Sequence, residues 1–168
     1  MEITTEKIKS LRKKSGAGIM DCRSALMGCD GDIDKALKIL KEKGLLKAQK
    51  KAERTTGAGL VEAYIHTAGR IGALVEVNCE TDFVARTDEF KDLAHCLAMQ
   101  VAAMNPQYIS EKNIPKKDKK VVAAEACLLL QPYIKDPTKT ITDIITETIA
   151  KTGENIRVSR FIRYELGG

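Results

Sequence analysis

Apolar residues recur at helical spacing through the first third of the chain and at strand spacing after it. Thr4 to Lys14 places Ile8 and Leu11 on one face, with Thr4 as a cap, Glu6 at the positive end and Lys13-Lys14 at the negative end; Ser15-Gly16-Ala17-Gly18 stops it. Ile19 to Met27 predicts a second short helix with Cys22, Ala25 and Leu26 inward, closed by Gly28-Cys29-Asp30-Gly31. Asp32 then caps a third, whose Ile33, Ala36, Leu37 and Leu40 share a stripe and whose end falls at Gly44. Lys47, Lys50, Lys51 and Arg54 line a polar helical or extended segment, Leu45 to Arg54, that ends in Thr55-Thr56-Gly57, a domain boundary.

From Gly59 the period changes. Leu60–Thr67 and Ile71–Cys79 read as two strands joined across Ala68-Gly69-Arg70, the second apolar almost throughout and so an inner strand. Phe90, Leu93, Ala94, Leu97, Val101 and Met104 mark one face of a long helix that starts near Thr87 or Asp88, ends at Asn105-Pro106 and covers the sheet. Tyr108-Ile109 predicts a short strand, and Lys116–Leu130 a helix that is basic in its first turn. Gln131–Pro137 reads as a loop, and Thr140 caps a helix that Gly153 terminates. Ile156–Leu166 is a last strand whose alternation slips near Arg160-Phe161-Ile162, the mark of a bulge. Helices and strands segregated in this way predict an α+β core with a mainly antiparallel sheet.

Composition narrows the function classes. The 168 residues suffice for one domain or two small ones, and no apolar run approaches the roughly 20 residues needed to cross a bilayer. The N-terminal residues lack the basic and apolar regions of a secretory signal, so a cytoplasmic location is expected. Five cysteines without a Cys-x-x-Cys pair read as small buried thiols rather than a disulfide framework or a zinc site. A net charge of +5 suits an acidic partner or RNA, the latter through the Lys47–Arg54 segment and Lys116–Lys120. No dinucleotide fingerprint, phosphate loop or His-Glu-x-x-His occurs, and no nucleophile or base accompanies the acids Glu76, Glu80 and Asp82, so no enzyme chemistry, cofactor or metal is expected. His66 and His95 read as structural.

The pivotal stretch is Asn78-Cys79-Glu80-Thr81-Asp82-Phe83-Val84-Ala85-Arg86, where a strand hands over to a helix. Asp82 can serve a helical first turn. Phe83 is either core, seven residues before Phe90 on a shared face, or a probe held towards a partner; periodicity alone favours core.

Three long motifs carry a resemblance that covers the whole chain. Leu11 to Leu26, continued by Gly31-Asp32-Ile33-Asp34-Lys35-Ala36, resembles the N-terminal domain of bacterial elongation factor Ts. Glu76-Val77-Asn78-Cys79-Glu80-Thr81-Asp82-Phe83-Val84-Ala85 resembles that family's core signature, and Gln131–Pro137 with Gly153-Glu154-Asn155-Ile156 and Arg160-Phe161 is similar to a third. The resemblance implies a ubiquitin-associated-like three-helix domain over residues 1–44, a basic linker over 45–57 and an α+β dimerisation core over 58–168. It implies a guanine nucleotide exchange factor for elongation factor Tu, itself binding no nucleotide. Thr81, Asp82, Phe83 and Val84 match the segment by which the family meets the partner's G domain, with the Asp-Phe pair pushed in near its Mg²⁺ and phosphate site. Arg12, Ile19 and Met20 match the N-terminal contact. Longer members have a duplicated core, whereas this chain has one core half, so a symmetric homodimer is expected to rebuild the pair.

Overall fold

The computed structural model describes residues 3–116 and 122–167, which divide into two units. The first comprises Met1–Arg54 with Thr146–Asn155, the second Thr55–Ile145 with Ile156–Gly168.

The first unit is helical. Helix α1 (Thr5–Ser15) is capped by the Thr4 hydroxyl, which accepts from Lys7 N, and ends at Gly16, whose φ of 66° lets its N–H reach back to Arg12 O at 2.8 Å. Helix α2 (Ile19–Met27) turns its Cys22, Ala25 and Leu26 inward. Helix α3 (Ile33–Lys51) starts at Asp32, whose carboxylate accepts from the N–H groups of Asp34 and Lys35, both at 3.0 Å. Leu11, Cys22, Ala25, Leu26, Ala36 and Leu40 form the core that the three helices enclose.

Gly44 does not end α3. The helix runs two further turns to Lys51, so most of the expected 45–57 linker is helical, and Gly44 is a buried interior position beside Thr146 and Ala150. Residues 146–155 cover this side of α3. Asn155, 2% exposed, donates to Ala52 O at 3.3 Å and Arg54 O at 2.9 Å, and Lys51 Nζ donates to Gly153 O.

The second unit is α+β, its main sheet ordered β1-β2-β5 from β1 (Ala58–Ile65), β2 (Ile71–Cys79) and β5 (Arg157–Glu165), antiparallel throughout. Helix α4 (Asp82–Ala85) follows β2, and helix α5 (Asp88–Met104) packs on one sheet face. Thr87 caps α5, Asp88 and Glu89 suit its positive end, and Asn105 in the left-handed region stops it before Pro106. Phe90, Leu93, Leu97 and Val101 from the helix meet Ala73, Val75, Val77 and Cys79 from β2, all 5% exposed or less. At the other end of the β1–β2 pairing only glycine fits position 59, because a Cβ there would stand 2.2 Å from Val77 O. The register shift expected in β5 is present one residue earlier than the sequence suggested: Glu76 faces Arg160 but Val77 faces Val158, leaving Ser159 as the extra residue.

Two expectations change after α5. Of the helix expected over Lys116–Leu130, residues 117–121 lie outside those described; among the described residues that follow, α6 (Ala123–Ala126) and a 3₁₀ turn at Leu128–Leu130 are separated by Cys127 in extended conformation. The Gln131–Pro137 loop carries instead a two-stranded ribbon, β3 (Pro132–Tyr133) and β4 (Asp136–Thr140), ahead of α7 (Ile141–Thr152). Buried Gln100 holds the ribbon to α5. Its amide donates to Gln131 Oε1 at 3.2 Å and Pro132 O at 3.1 Å and accepts from Ile134 N at 3.0 Å, while Gln131 donates to Glu125 O at 2.5 Å. The third sequence motif therefore begins in a polar staple.

Candidate functional site

Between β2 and α5 the chain makes one helical turn, α4, whose backbone bonds from Ala85 N to Thr81 O and from Arg86 N to Asp82 O are framed by side-chain caps. Cys79, fully buried at the end of β2, donates its thiol to Thr81 O at 3.2 Å. Thr81, in extended conformation, caps α4 by accepting from Val84 N at 3.5 Å. Thr87 closes the far side: its hydroxyl donates to Val84 O at 2.8 Å and accepts from Phe90 N at 3.3 Å, so one residue ends α4 and starts α5.

The turn has two faces. Val84 and Ala85 point inward, 9% and 8% exposed, and anchor it to the unit. Phe83 points outward and is 86% exposed, the greatest exposure of any large apolar side chain among the described residues, with Asp82 and Thr81 exposed beside it. The core alternative for Phe83 is therefore excluded in this structure: Phe90 is fully buried but Phe83 does not share its face. Of the four residues matched to the partner contact, Thr81, Asp82 and Phe83 are presented to solvent. Val84 is not; it is the anchor on which the other three stand.

Arg12, Ile19 and Met20 lie in the first unit, on the last turn of α1 and the first of α2. Ile19 is 54% and Met20 71% exposed, two apolar side chains next to each other at a helix start with the Arg12 side chain also exposed.

Glu76, His66 and His95 each have a side-chain partner within the fold. Glu76 pairs with Arg160, Nε to Oε2 at 2.6 Å, and this bond, outweighing some desolvation, holds its carboxyl below the usual range. His95 Nδ1 lies 3.0 Å from Glu62 Oε1, Tyr64 OH lies 3.1 Å from His66 Nδ1, and the Tyr64 ring meets His95 edge-on at 5.7 Å. Among the described residues no three His, Cys, Asp or Glu gather as metal ligands, and no helix is long and apolar enough to cross a membrane. Lys117, Lys119 and Lys120, the bulk of the second basic segment, lie outside the described residues.

One surface escaped the sequence reading. The sheet face opposite α5 is apolar and uncovered: Val61 and Ile65 of β1, Leu74 of β2, and Ile162 and Tyr164 of β5 are 44–66% exposed. Leu74 sits between Ala63 and Ile162 in register, with Ile65 and Tyr164 on either side of Gly72 in the next row, while the Glu76–Arg160 pair occupies the row of Val61 and closes the apolar patch at that end. Strand β2 is the inner strand expected, between β1 and β5, but among the described residues only the face with Ala73, Val75, Val77 and Cys79 is buried. The alternation of Val61, Ala63 and Ile65 against Leu60, Glu62 and Tyr64 was the available signal.

Comparison with known proteins gives a consistent result. Residues 27–124 match the family model described as "Elongation factor TS". The elongation factor Ts of Thermotoga maritima is 50% identical over 194 aligned positions, covering 99% of this chain and 98% of the relative. That of Thermoanaerobacter pseudethanolicus is 48% identical, covering 98% and 95%, and that of Carboxydothermus hydrogenoformans 47%, covering 98% and 89%. An alignment of 194 positions on a chain of 168 leaves at least 26 positions of each relative without a counterpart here.

Proposed function

The chain belongs to the elongation factor Ts family, and from that premise we propose that it acts in translation elongation as the guanine nucleotide exchange factor of elongation factor Tu. The observation that carries the mechanism is the two-faced turn: Phe83, 86% exposed, projects from a backbone that buried Val84 and Ala85 hold in place. An aromatic so presented suits insertion into a partner, since the backbone that carries it is ordered before binding and the ring's burial is realised only in the complex. Asp82 supplies a polar contact beside it. We assign these two residues to the wedge that opens the partner's Mg²⁺ and phosphate site, and Arg12, Ile19 and Met20 to a second contact on the partner's G domain.

Exchange follows from linkage. A protein that binds nucleotide-free elongation factor Tu more tightly than the GDP-bound form must weaken GDP by the same factor, and excess GTP then displaces the factor. No bond is made or broken on this chain. The uncovered sheet face supports a further part of the reading, a symmetric homodimer in which Leu74, Ile162 and Tyr164 of two copies meet across a two-fold axis.

The test is release of fluorescent GDP from elongation factor Tu, with the factor at substoichiometric concentration. Accelerated, multiple-turnover release is expected. Release at the unassisted rate overturns the assignment.

A further inference from the structure

The charge of the molecule is not spread evenly. Of 28 Lys and Arg and 23 Asp and Glu, 15 and 10 fall in the first unit, leaving 13 and 13 in the second. The first unit thus carries the whole net charge of +5, and the unit that bears Phe83 is neutral.

Part of that excess is organised on α3. Lys43, Leu46, Lys47 and Lys50 are spaced i, i+3, i+4, i+7, which puts them on one helix face, and all four are exposed, Leu46 by 58%. The buried stripe of α3 is a different one, through Ala36, Leu40 and Gly44, so Leu46 stands as an apolar residue on the lysine-rich outer face. Lys47 Nζ lies 3.0 Å from Asp21 Oδ2, which sets the second stripe beside the first turn of α2, where Ile19 and Met20 are exposed. Glu42 borders it on the side away from Lys47. The result is a band of aliphatic and methionine side chains flanked by ammonium groups.

Such a band could meet nucleic acid or protein, and aromatic content decides between them. None of the chain's seven Phe and Tyr lies in the first unit. Surfaces that hold single-stranded nucleic acid combine positive charge with aromatic stacking platforms, whereas apolar anchors inside a charged rim are the anatomy of a protein interface.

We propose that the Lys43–Leu46–Lys50 face of α3 is a docking and steering surface for an acidic protein face, that of the exchange partner; the proposal rests on the exchange reading above. The division of labour is between units: the first captures by long-range attraction, and the neutral second acts by contact. Steering acts on association, is screened by salt and leaves the step after docking untouched.

The experiment is stopped-flow mixing of the full chain with elongation factor Tu carrying fluorescent GDP, for wild type, Lys43→Glu/Lys50→Glu and Lys43→Gln/Lys50→Gln. At low ionic strength the association rate is expected to fall about tenfold in the charge-reversed variant and less in the neutral one, converging with wild type near 0.5 M salt. The limiting release rate at saturating factor is expected to be the same in all three. Both substitutions sit on exposed helix surface, and circular dichroism verifies folding. Association in the variants equal to wild type at every salt concentration overturns the steering surface while the exchange reading stands, because wild type still releases GDP. Wild type that fails to release GDP removes both. Salt-sensitive binding of a mixed-sequence RNA that the charge reversal abolishes, with association to elongation factor Tu unchanged, overturns the proposal in favour of RNA.

Discussion

Neighbouring residues 83 and 84 should respond to truncation in opposite ways, because the α4 turn points one to solvent and one to the core. Phe83→Ala removes a ring that is 86% exposed in the free protein, so its effect on unfolding should stay within about 0.5 kcal/mol. In exchange it should lose about 2 to 4 kcal/mol of complex stabilisation, the usual cost of truncating an interfacial aromatic, or about thirty- to several-hundred-fold in the efficiency of GDP release. Val84→Ala deletes two methyl groups at a site 9% exposed, about 1.6 kcal/mol of transfer free energy plus a small cavity term, for a total of about 2 kcal/mol. For a chain of this size the midpoint should fall by roughly 4 to 8 °C. Calorimetry measures the stability of each variant, and release of fluorescent GDP as a function of factor concentration measures exchange. Below its melting range Val84→Ala should retain most activity. If Phe83→Ala melts well below wild type, or Val84→Ala is as stable as wild type yet inactive in exchange, the two-faced turn is the wrong description.

The remaining expectations concern other elements. Gln100→Ala strands Ile134 N–H, Pro132 O and part of Gln131 in a buried setting; at about 1 to 3 kcal/mol for an unsatisfied group, denaturant titration should show a loss of about 2 to 4 kcal/mol, and a loss under 1 would mean that water or repacking replaces the staple. Asp32, held below its ordinary 3.8 chiefly by the Lys35 backbone N–H, contributes stability that is present above that value and lost as pH falls through its lower folded-state pKa. The difference in melting midpoint between wild type and Asp32→Asn should therefore be flat from neutral pH to about 5 and shrink below about pH 4; a difference that grows on acidification contradicts the assignment. Ile162→Lys, placing a charge opposite Leu74 on the uncovered sheet face, should convert a dimer to monomers in sedimentation at micromolar concentration without unfolding the chain. A dimer that persists puts the interface elsewhere.

How much of this the sequence disclosed depended on whether the deciding interaction was local. The start of α5 at Thr87 and the end of α1 at Gly16 were legible because caps and left-handed glycines act within a turn. Gly44 misled for the same reason: it is a good helix stop locally, but the surrounding unit, with Thr146 and Ala150 packed over it, keeps the helix going. The ribbon at Pro132–Thr140 was invisible, since its support is a glutamine 31 residues earlier that interrupts no apolar stripe. Phe83 could not be read from periodicity at all; a seven-residue offset from Phe90 fits one helix, and what breaks it is the intervening cap at Thr87, which makes two helices with different facing. Only the motif, not the pattern, pointed outward. The uncovered sheet face was half legible: alternation gave its residues but not whether anything covers them.

The two-part make-up of the first unit has a consequence for how the molecule comes into being. Residues 1–54 leave the ribosome with their three-helix core complete, but Thr146–Asn155, which lies over Gly44 and caps Ala52 and Arg54, is translated only after the intervening second-unit segment. At ordinary elongation rates that interval is on the order of 10 s. Through it, nascent α3 stands with its Gly44 side bare, and chaperone capture, nicking or premature termination in this window acts on a species that the finished protein never contains.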